Sequence, residues 1–282
     1  AASQSGTASL NDGSSTVTVP ITAVDPAKAF LVFGLEESTN SPGNGEVTGR
    51  LSGGNAVVFE RTETGETVLI RWQVAEFQSG VRVQRGSVAM SSPTMTVAIA
   101  AVDVGRSFPL VSVRNSGGEW AGADFLRGRL SGPAGLELSV NNVSSTPFVE
   151  WQVVEYNAAA VQHGLVTLAE GQLSATVPIP AVDLQRAWLI SSHQSHFAST
   201  TAIGERLVRS RVTSSTSLVF DRWVSSGSVD IAWSLVVFQD ETLVQHGSEH
   251  FASGEVQRTV ALEAVDPART IAVGGYQTTG GS

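Results

Sequence analysis

Cysteine is absent from the 282-residue chain, which excludes a disulfide framework, thiolate metal sites and a thiol nucleophile. Lysine occurs once, as Lys28, and the arginines are scattered singly. A nucleic-acid footprint needs clustered Lys and Arg, and the net charge here is −9; nucleic acid is not an expected partner. No basic amphipathic stretch suits a membrane surface. No apolar run approaches the length that spans a bilayer, so membrane insertion is not expected either. Charge as a whole is scarce, at 15% of residues against 41% hydrophobic. The surface must then be covered by Ser, Thr, Gly, Asn and Gln. The chain opens on AASQSGT without an initiator Met, which is read as a removed leader or a cropped chain and is compatible with secretion.

What is present is a repeat, and an internal period sets the fold reading before any local signal. AVD ends at Asp25, Asp103, Asp183 and Asp266, with spacings of 78, 80 and 83. A Trp-centred segment recurs as LIRWQVAEF (69–77), FVEWQVVEY (148–156) and DIAWSLVVF (230–238). VQRG (83–86) and VQHG (161–164 and 244–247) follow, with SQSG (3–6) in the matching place at the start. GRLS (49–52 and 128–131) and SRVT (210–213) add a weaker anchor. The order divides the chain into units of 1–80, 81–159 and 160–242, followed by an incomplete unit over 243–282.

Within a unit the period is two, as in STVTVPI (15–21) and TMTVAIA (94–100), which specifies strands. No stretch has helical period and helical length. Six strands in about 80 residues predict an all-β chain of tandem small antiparallel β-sandwiches. Asp25, Asp103, Asp183 and Asp266 precede a turn, twice as Asp-Pro, and are read as caps of a single helical turn. A metal-ligand role is set aside because no second carboxylate travels with them.

The alternation puts Trp72 with Ile70 and Val74, and Trp151 and Trp233 likewise with flanking aliphatics. The three are read as core rather than as ligand platforms. Trp120 lies in NSGGEWAGADF (115–125), a Gly-rich loop of the second unit alone. It either offers an exposed ring to a sugar or a neighbouring chain, or folds back over its own unit. His193 and His196, in HQSH, have a local spacing open to a metal, yet no carboxylate or thiolate accompanies them, so no metal is expected. Arg50, Arg129 and Arg211 share one repeat position and Glu76 and Glu155 another; solvated strand ends are preferred over bridges between them. No nucleophile elbow, phosphate loop or carboxylate pair is present. No catalytic residue, no cofactor and no enzyme activity are expected.

The run of VRVQRGSV (81–88), TMTVAIAAVD, FPLVSVR, FLRGRLS, LELSVNNVS and FVEWQVVEY (148–156) resembles the H-type lectin domain. Gln84, Gly86 and Trp151 carry the likeness in one unit. Gln4, Gly6 and Trp72 carry it in another, as do Gln162, Gly164 and Trp233. The resemblance implies six-stranded antiparallel sandwiches and, in the family, binding of N-acetylgalactosamine-type sugars at subunit junctions. None of the family's sugar-contacting residues can be placed on this sequence. Fold and ligand do not travel together by necessity.

Three readings follow. The first is a non-enzymatic structural or assembly protein of an extracellular fibre, surface layer or virion appendage, whose partners are copies of itself or other assembly subunits. The second is an adhesin in which Trp120, His193 and His196, on loops 115–125 and 192–205, read cell-surface glycans. The third is an accessory module of an enzyme. An extracellular, cell-surface or virion location suits the first two. The half-unit at 243–282 would expose an apolar sheet face and an open edge. It is read as part of an array that continues, in preference to a unit completed by strands of a neighbour.

Overall fold

The computed structural model describes residues 1–37, 41–196 and 203–278. Among the described residues the chain is all-β and forms six three-stranded antiparallel sheets. The first six strands are β1 (Ala2–Leu10), β2 (Thr16–Pro20), β3 (Ala29–Glu36), β4 (Thr48–Ser52), β5 (Ala56–Glu60) and β6 (Val68–Glu76). They make one sheet of order β1-β6-β3 and another of order β2-β5-β4. The next six are β7 (Val81–Ala89), β8 (Thr94–Ala98), β9 (Ser107–Arg114), β10 (Arg127–Gly132), β11 (Gly135–Ser139) and β12 (Phe148–Tyr156). The last six are β13 (Ala159–Leu168), β14 (Ser174–Pro178), β15 (Ala187–Ser195), β16 (Arg209–Ser214), β17 (Ser217–Asp221) and β18 (Val229–Phe238). Both sets repeat the first-sixth-third and second-fifth-fourth orders. The helices are single turns, the longest α1 (Pro42–Gly45).

Two sheets of one set enclose one core. Leu10, Ile70, Trp72 and Val74 meet Val57 and Phe59. Met90, Val149, Trp151 and Val153 meet Leu136 and Leu138. Leu168, Ile231, Trp233 and Leu235 meet Leu218 and Phe220. Alternation is the cause, since every second side chain of a strand faces the same way.

The Gln-x-Gly anchor has a physical reason at both of its fixed positions. Gly6 pairs with Trp72, Gly86 with Trp151 and Gly164 with Trp233. An added Cβ at Gly6 or Gly86 would lie 2.6 Å from the Cζ2 of its Trp, and at Gly164 closer still. The glycine is required because the indole edge fills the space of a side chain. The glutamine clasps a backbone. Gln4 Nε2 donates to Thr22 O at 2.8 Å, and its Oε1 accepts from Thr22 N at 2.8 Å. Gln84 does the same to Ala100. Gln162 faces Pro180, which has no N–H, and keeps only the bond to its carbonyl, at 3.5 Å.

The four aspartates cap. Asp25, Asp103, Asp183 and Asp266 accept from Ala27 N, Gly105 N, Gln185 N and Ala268 N at 2.9–3.0 Å. Glu76 and Glu155 accept the N–H groups of Asp25 and Asp103. The repeat arginines are not solvated ends. Arg50 pairs with Glu60, Arg129 with Glu137 and Arg211 with Asp221, each reaching from an edge strand to the middle strand of its sheet. Arg61 is 3% exposed and donates to the carbonyls of Ser14, Asn44, Glu66 and Asn11 at 2.6–2.9 Å.

The sheet pairs join around a common core of Phe30, Phe108 and Trp188, with Val154, Tyr156 and Val236. These three aromatics each stand five residues after a capping aspartate. A second glutamine makes an inter-pair clasp: Leu31 N donates to Gln152 Oε1 at 3.0 Å, and Gln152 Nε2 to Leu31 O at 2.9 Å. Residues 243–278 run from the third pair of sheets to the first. Val244 N donates to Gln185 O at 2.7 Å, as Val83 N donates to Ala27 O. At the far end Gln73 clasps Ala272, at 2.7 Å and 2.6 Å, and Ser3 Oγ donates to the carbonyls of Pro267 and Thr270. Ala272 stands where Leu31 does, six residues after the aspartate, so one contact recurs around a closed path.

Candidate functional site

The loop of residues 115–126 belongs to the second set of strands and is held by its own polar groups. Asn115 Nδ2 donates to Asp124 Oδ1 at 2.8 Å, and Ala121 N to Asp124 Oδ2. The first set ties it down as well: Gly43 N and Ser41 Oγ both donate to Gly117 O at 3.0 Å. Strand β15 lies beside β10, with Gly128 N donating to Ser192 Oγ at 2.9 Å and Ser192 Oγ to Gly128 O at 3.1 Å.

This junction brings together aromatic groups distant in sequence. Trp120 is half-buried and folds back onto Phe125 with ring centroids 5.8 Å apart. Phe125 stacks on His193 at 5.4 Å and 29°. The guanidinium of Arg206 lies 5.9 Å from the Phe125 centroid, within cation–π reach. Beside them is a hollow of about 250 Å³ whose lining includes Val111, Val113, Asp124, Phe125, Ser192 and His193.

The electrostatics follow from burial. Desolvation lowers the His193 pKa to about 4, opposed by a hydrogen bond with the Arg206 backbone, so the ring is neutral at physiological pH. Its Nε2 is buried and has no hydrogen-bond partner among the described residues. Burial raises the Asp124 carboxyl, against the bonds from Ala121 and Asn115 and the charge of Arg206. Glu46, 7% exposed, is pushed well above the carboxylate range by burial, with the charges of Asp124 and Glu37 adding to it. Burial raises Glu37 to about 7. The hollow therefore offers a stacking face and a neutral imidazole, beside an Asp124 carboxyl that burial shifts upward.

His196 does not join His193. Residues three apart on an extended strand face opposite ways, and His196 lies 2.7 Å from Asp230 Oδ2 and 3.2 Å from Asn141 Oδ1. Among the described residues no three His, Cys, Asp or Glu side chains are arranged to hold a metal ion. Residues 197–202 of the loop 192–205 lie outside the described residues. Trp72, Trp151 and Trp233 are 6%, 8% and 8% exposed and none lines the hollow, although Trp151 is the strand partner of Val111, which does. Phe125 and Asp124 were not singled out by sequence reading. The one available signal was the second aromatic five residues after Trp120 in the same Gly-rich loop.

No protein-family model matches the chain, and no curated protein matches it by sequence.

Proposed function

We propose that the chain is a non-enzymatic assembly protein built from tandem six-stranded β-sandwiches, over 1–80, 81–159 and 160–242, with an incomplete unit over 243–282. The sandwich reading rests on three pairs of sheets that repeat one strand order and each enclose a core. The observation that carries the functional reading is the recurrence of one contact, between Leu31 and Gln152 and again between Ala272 and Gln73. A surface that joins unit to unit within a chain is suited to joining chains. The partners are copies of the chain or other subunits of an extracellular fibre, surface layer or virion appendage. Electron microscopy and mass measurement over a concentration series test this. Particles of fixed geometry larger than one chain support it, and a monodisperse monomer at every concentration removes it.

The second reading is a glycan-binding adhesin, and the Trp120–Phe125–His193 stack beside its hollow favours it. Aromatic faces with adjacent polar groups suit sugar rings. A glycan array probed with the chain and with Trp120→Ala decides it: binding that the substitution abolishes supports the adhesin, and an empty array rejects it.

A further inference from the structure

The first and second sets of strands meet along a seam where backbone touches backbone. Gly43 N and Ser41 Oγ donate to Gly117 O at 3.0 Å, and Gly117 N donates to Glu63 Oε1 at 3.0 Å. A Cβ built on Gly43 would lie 3.0 Å from Gly117 N, so the close approach depends on a residue without one. One side of the seam is α1 and the Glu46 that follows it. The other is the loop of residues 115–126, which carries Trp120, Asp124 and Phe125.

Carboxyl groups are enclosed at this seam. Glu46 is 7% exposed, and Asp124 across from it is 5% exposed. Glu37, just after β3, lies against the same turn, since a Cβ on Gly45 would be 2.6 Å from its Cδ. Asp124 has partners: Asn115 Nδ2 and Ala121 N donate to it, and the charge of Arg206 acts on it. Glu46 Oε2 and Glu37 Oε2 are buried and have no hydrogen-bond partner among the described residues. The charges that act on Glu46, those of Asp124 and Glu37, are both acidic. The remaining groups supply no counter-charge. Arg61 is turned to Asp12, Glu66 and backbone carbonyls. Glu63 holds Gly117 N, and beside Glu37 stands only the phenol of Tyr276. A buried carboxyl in such surroundings either keeps its proton or moves to water.

We infer that this seam is an acid-closed latch: Glu46 and Glu37 stay enclosed as neutral carboxyls, and their ionisation lifts residues 41–46 off the loop of residues 115–126. The bonds broken are the two O–H bonds, whose protons go to water, and the hydrogen bonds to Gly117. In the closed seam burial raises Glu46 well above the carboxylate range and Glu37 to about 7, against an ordinary value of 4.5. Closure is therefore fully favoured below the ordinary value, and that advantage is lost as pH rises through the raised ones. Trp120 and Phe125 ride on the loop, so the latch governs their stack on His193 whatever the hollow takes. It stands apart from both functional readings.

The chain has no cysteine, so Thr64→Cys with Gly118→Cys places a spin-label pair across the seam. Thr64 is exposed, and nothing lies within 4 Å of a Cβ on Gly118. Interlabel distances in the 1–282 chain are measured at pH 5.5 and pH 8.5. One short distance is expected at pH 5.5, and a longer population at pH 8.5 that reverts on re-acidification. Glu46→Gln keeps the shape of the neutral carboxyl and should cut the longer population at least about tenfold. Glu37→Gln should move the opening to higher pH, and Glu66→Gln, an exposed acid nearby, should change nothing. Amide exchange at Gly117, corrected for its intrinsic rate, is a label-free readout. Its protection should fall at least about tenfold between the two pH values in the unlabelled chain and hold in Glu46→Gln. A distance that ignores pH overturns the latch, as does an opening that Glu46→Gln leaves intact. So does opening that occurs only with unfolding of the whole chain. If Glu46→Gln does not fold, Glu37→Gln decides: an unmoved midpoint overturns the latch and an upward shift supports it.

Discussion

Phe30 and Trp188 stack with ring centroids 6.3 Å apart and an interplanar angle of 21°, although they belong to different pairs of sheets. Each stands five residues after a capping aspartate, so two copies of one repeat position meet. Phe108, the third copy, meets both. The body is therefore held by equivalent residues converging from separate sheets.

Phe108→Ala should test that convergence. Phe108 is 2% exposed, and truncating a buried Phe costs about 3–5 kcal/mol. Denaturant unfolding is expected to lose stability in that range as one transition. Loss confined to a partial transition of the second pair of sheets would show that the cores do not share cooperativity.

Gly86→Ala should destabilise, because its Cβ would lie 2.6 Å from Trp151 Cζ2. Overpacking of this kind costs about 1–3 kcal/mol. Shortening the tryptophan in the same molecule, Trp151→Leu, should make the alanine less costly, a coupling that a double-mutant cycle reads directly. Gly247→Ala serves as the control and should leave the melting temperature unchanged. Equal losses at positions 86 and 247 would refute the account of the glycine.

Arg61→Met keeps much of the apolar stem and strips the donors from five backbone carbonyls, those of Asn11, Asp12, Ser14, Asn44 and Glu66. Unmet buried acceptors cost about 1–3 kcal/mol each, reduced where water reaches them. Thermal unfolding is expected to shift downward clearly, with fastened loops at 11–14 and 44–46 becoming cleavable by protease. An unshifted melt with resistant loops would show that the guanidinium is dispensable.

The acid cluster sets a pH dependence. Glu37 is raised to about 7 and Glu46 well above its ordinary value, so the folded chain holds protons that the unfolded chain releases near 4.5. Their contribution to stability is present below the unfolded value and is lost as pH rises through the folded one. His193, lowered to about 4, acts in the opposite sense, its contribution being lost as pH falls below 6.5. Comparing melting at pH 5 and pH 8 in the chain and in Glu46→Gln isolates the carboxyl. The wild-type chain should lose more stability between those values than the variant. Identical pH profiles would sink the assignment.

The strands were legible because alternation over seven residues, as in TMTVAIA, leaves helices no apolar stripe. The turns were legible because Asp before a turn has a local partner, its own backbone two residues on. Contacts between sheet pairs were not. Gln73 and Gln152 read as polar residues of a strand, and nothing in their neighbourhood announces a clasp to Ala272 or Leu31. Arg50, Arg129 and Arg211 looked like strand ends because their acidic partners come from the adjacent strand of a hairpin, at a register the turn determines. Trp120 and His193 were visible as isolated rings. Phe125, the ring that joins them, was not, since its stacking needs two sheet pairs in place.

The clasping glutamines also give the copies an order. Position six after the aspartate is Leu31 in the first copy and Ala272 in the fourth, each with an N–H to give, but Pro109 in the second. The copy that follows has Ser234 where Gln73 and Gln152 stand, and Ser234 turns to His163 Nδ1 at 3.0 Å. A gene in which the second and first copies were exchanged would set a proline before a glutamine amide and strand one of its bonds. The repeats are thus numbered by their hydrogen bonds, and duplicated sequence has become a chain whose parts no longer commute.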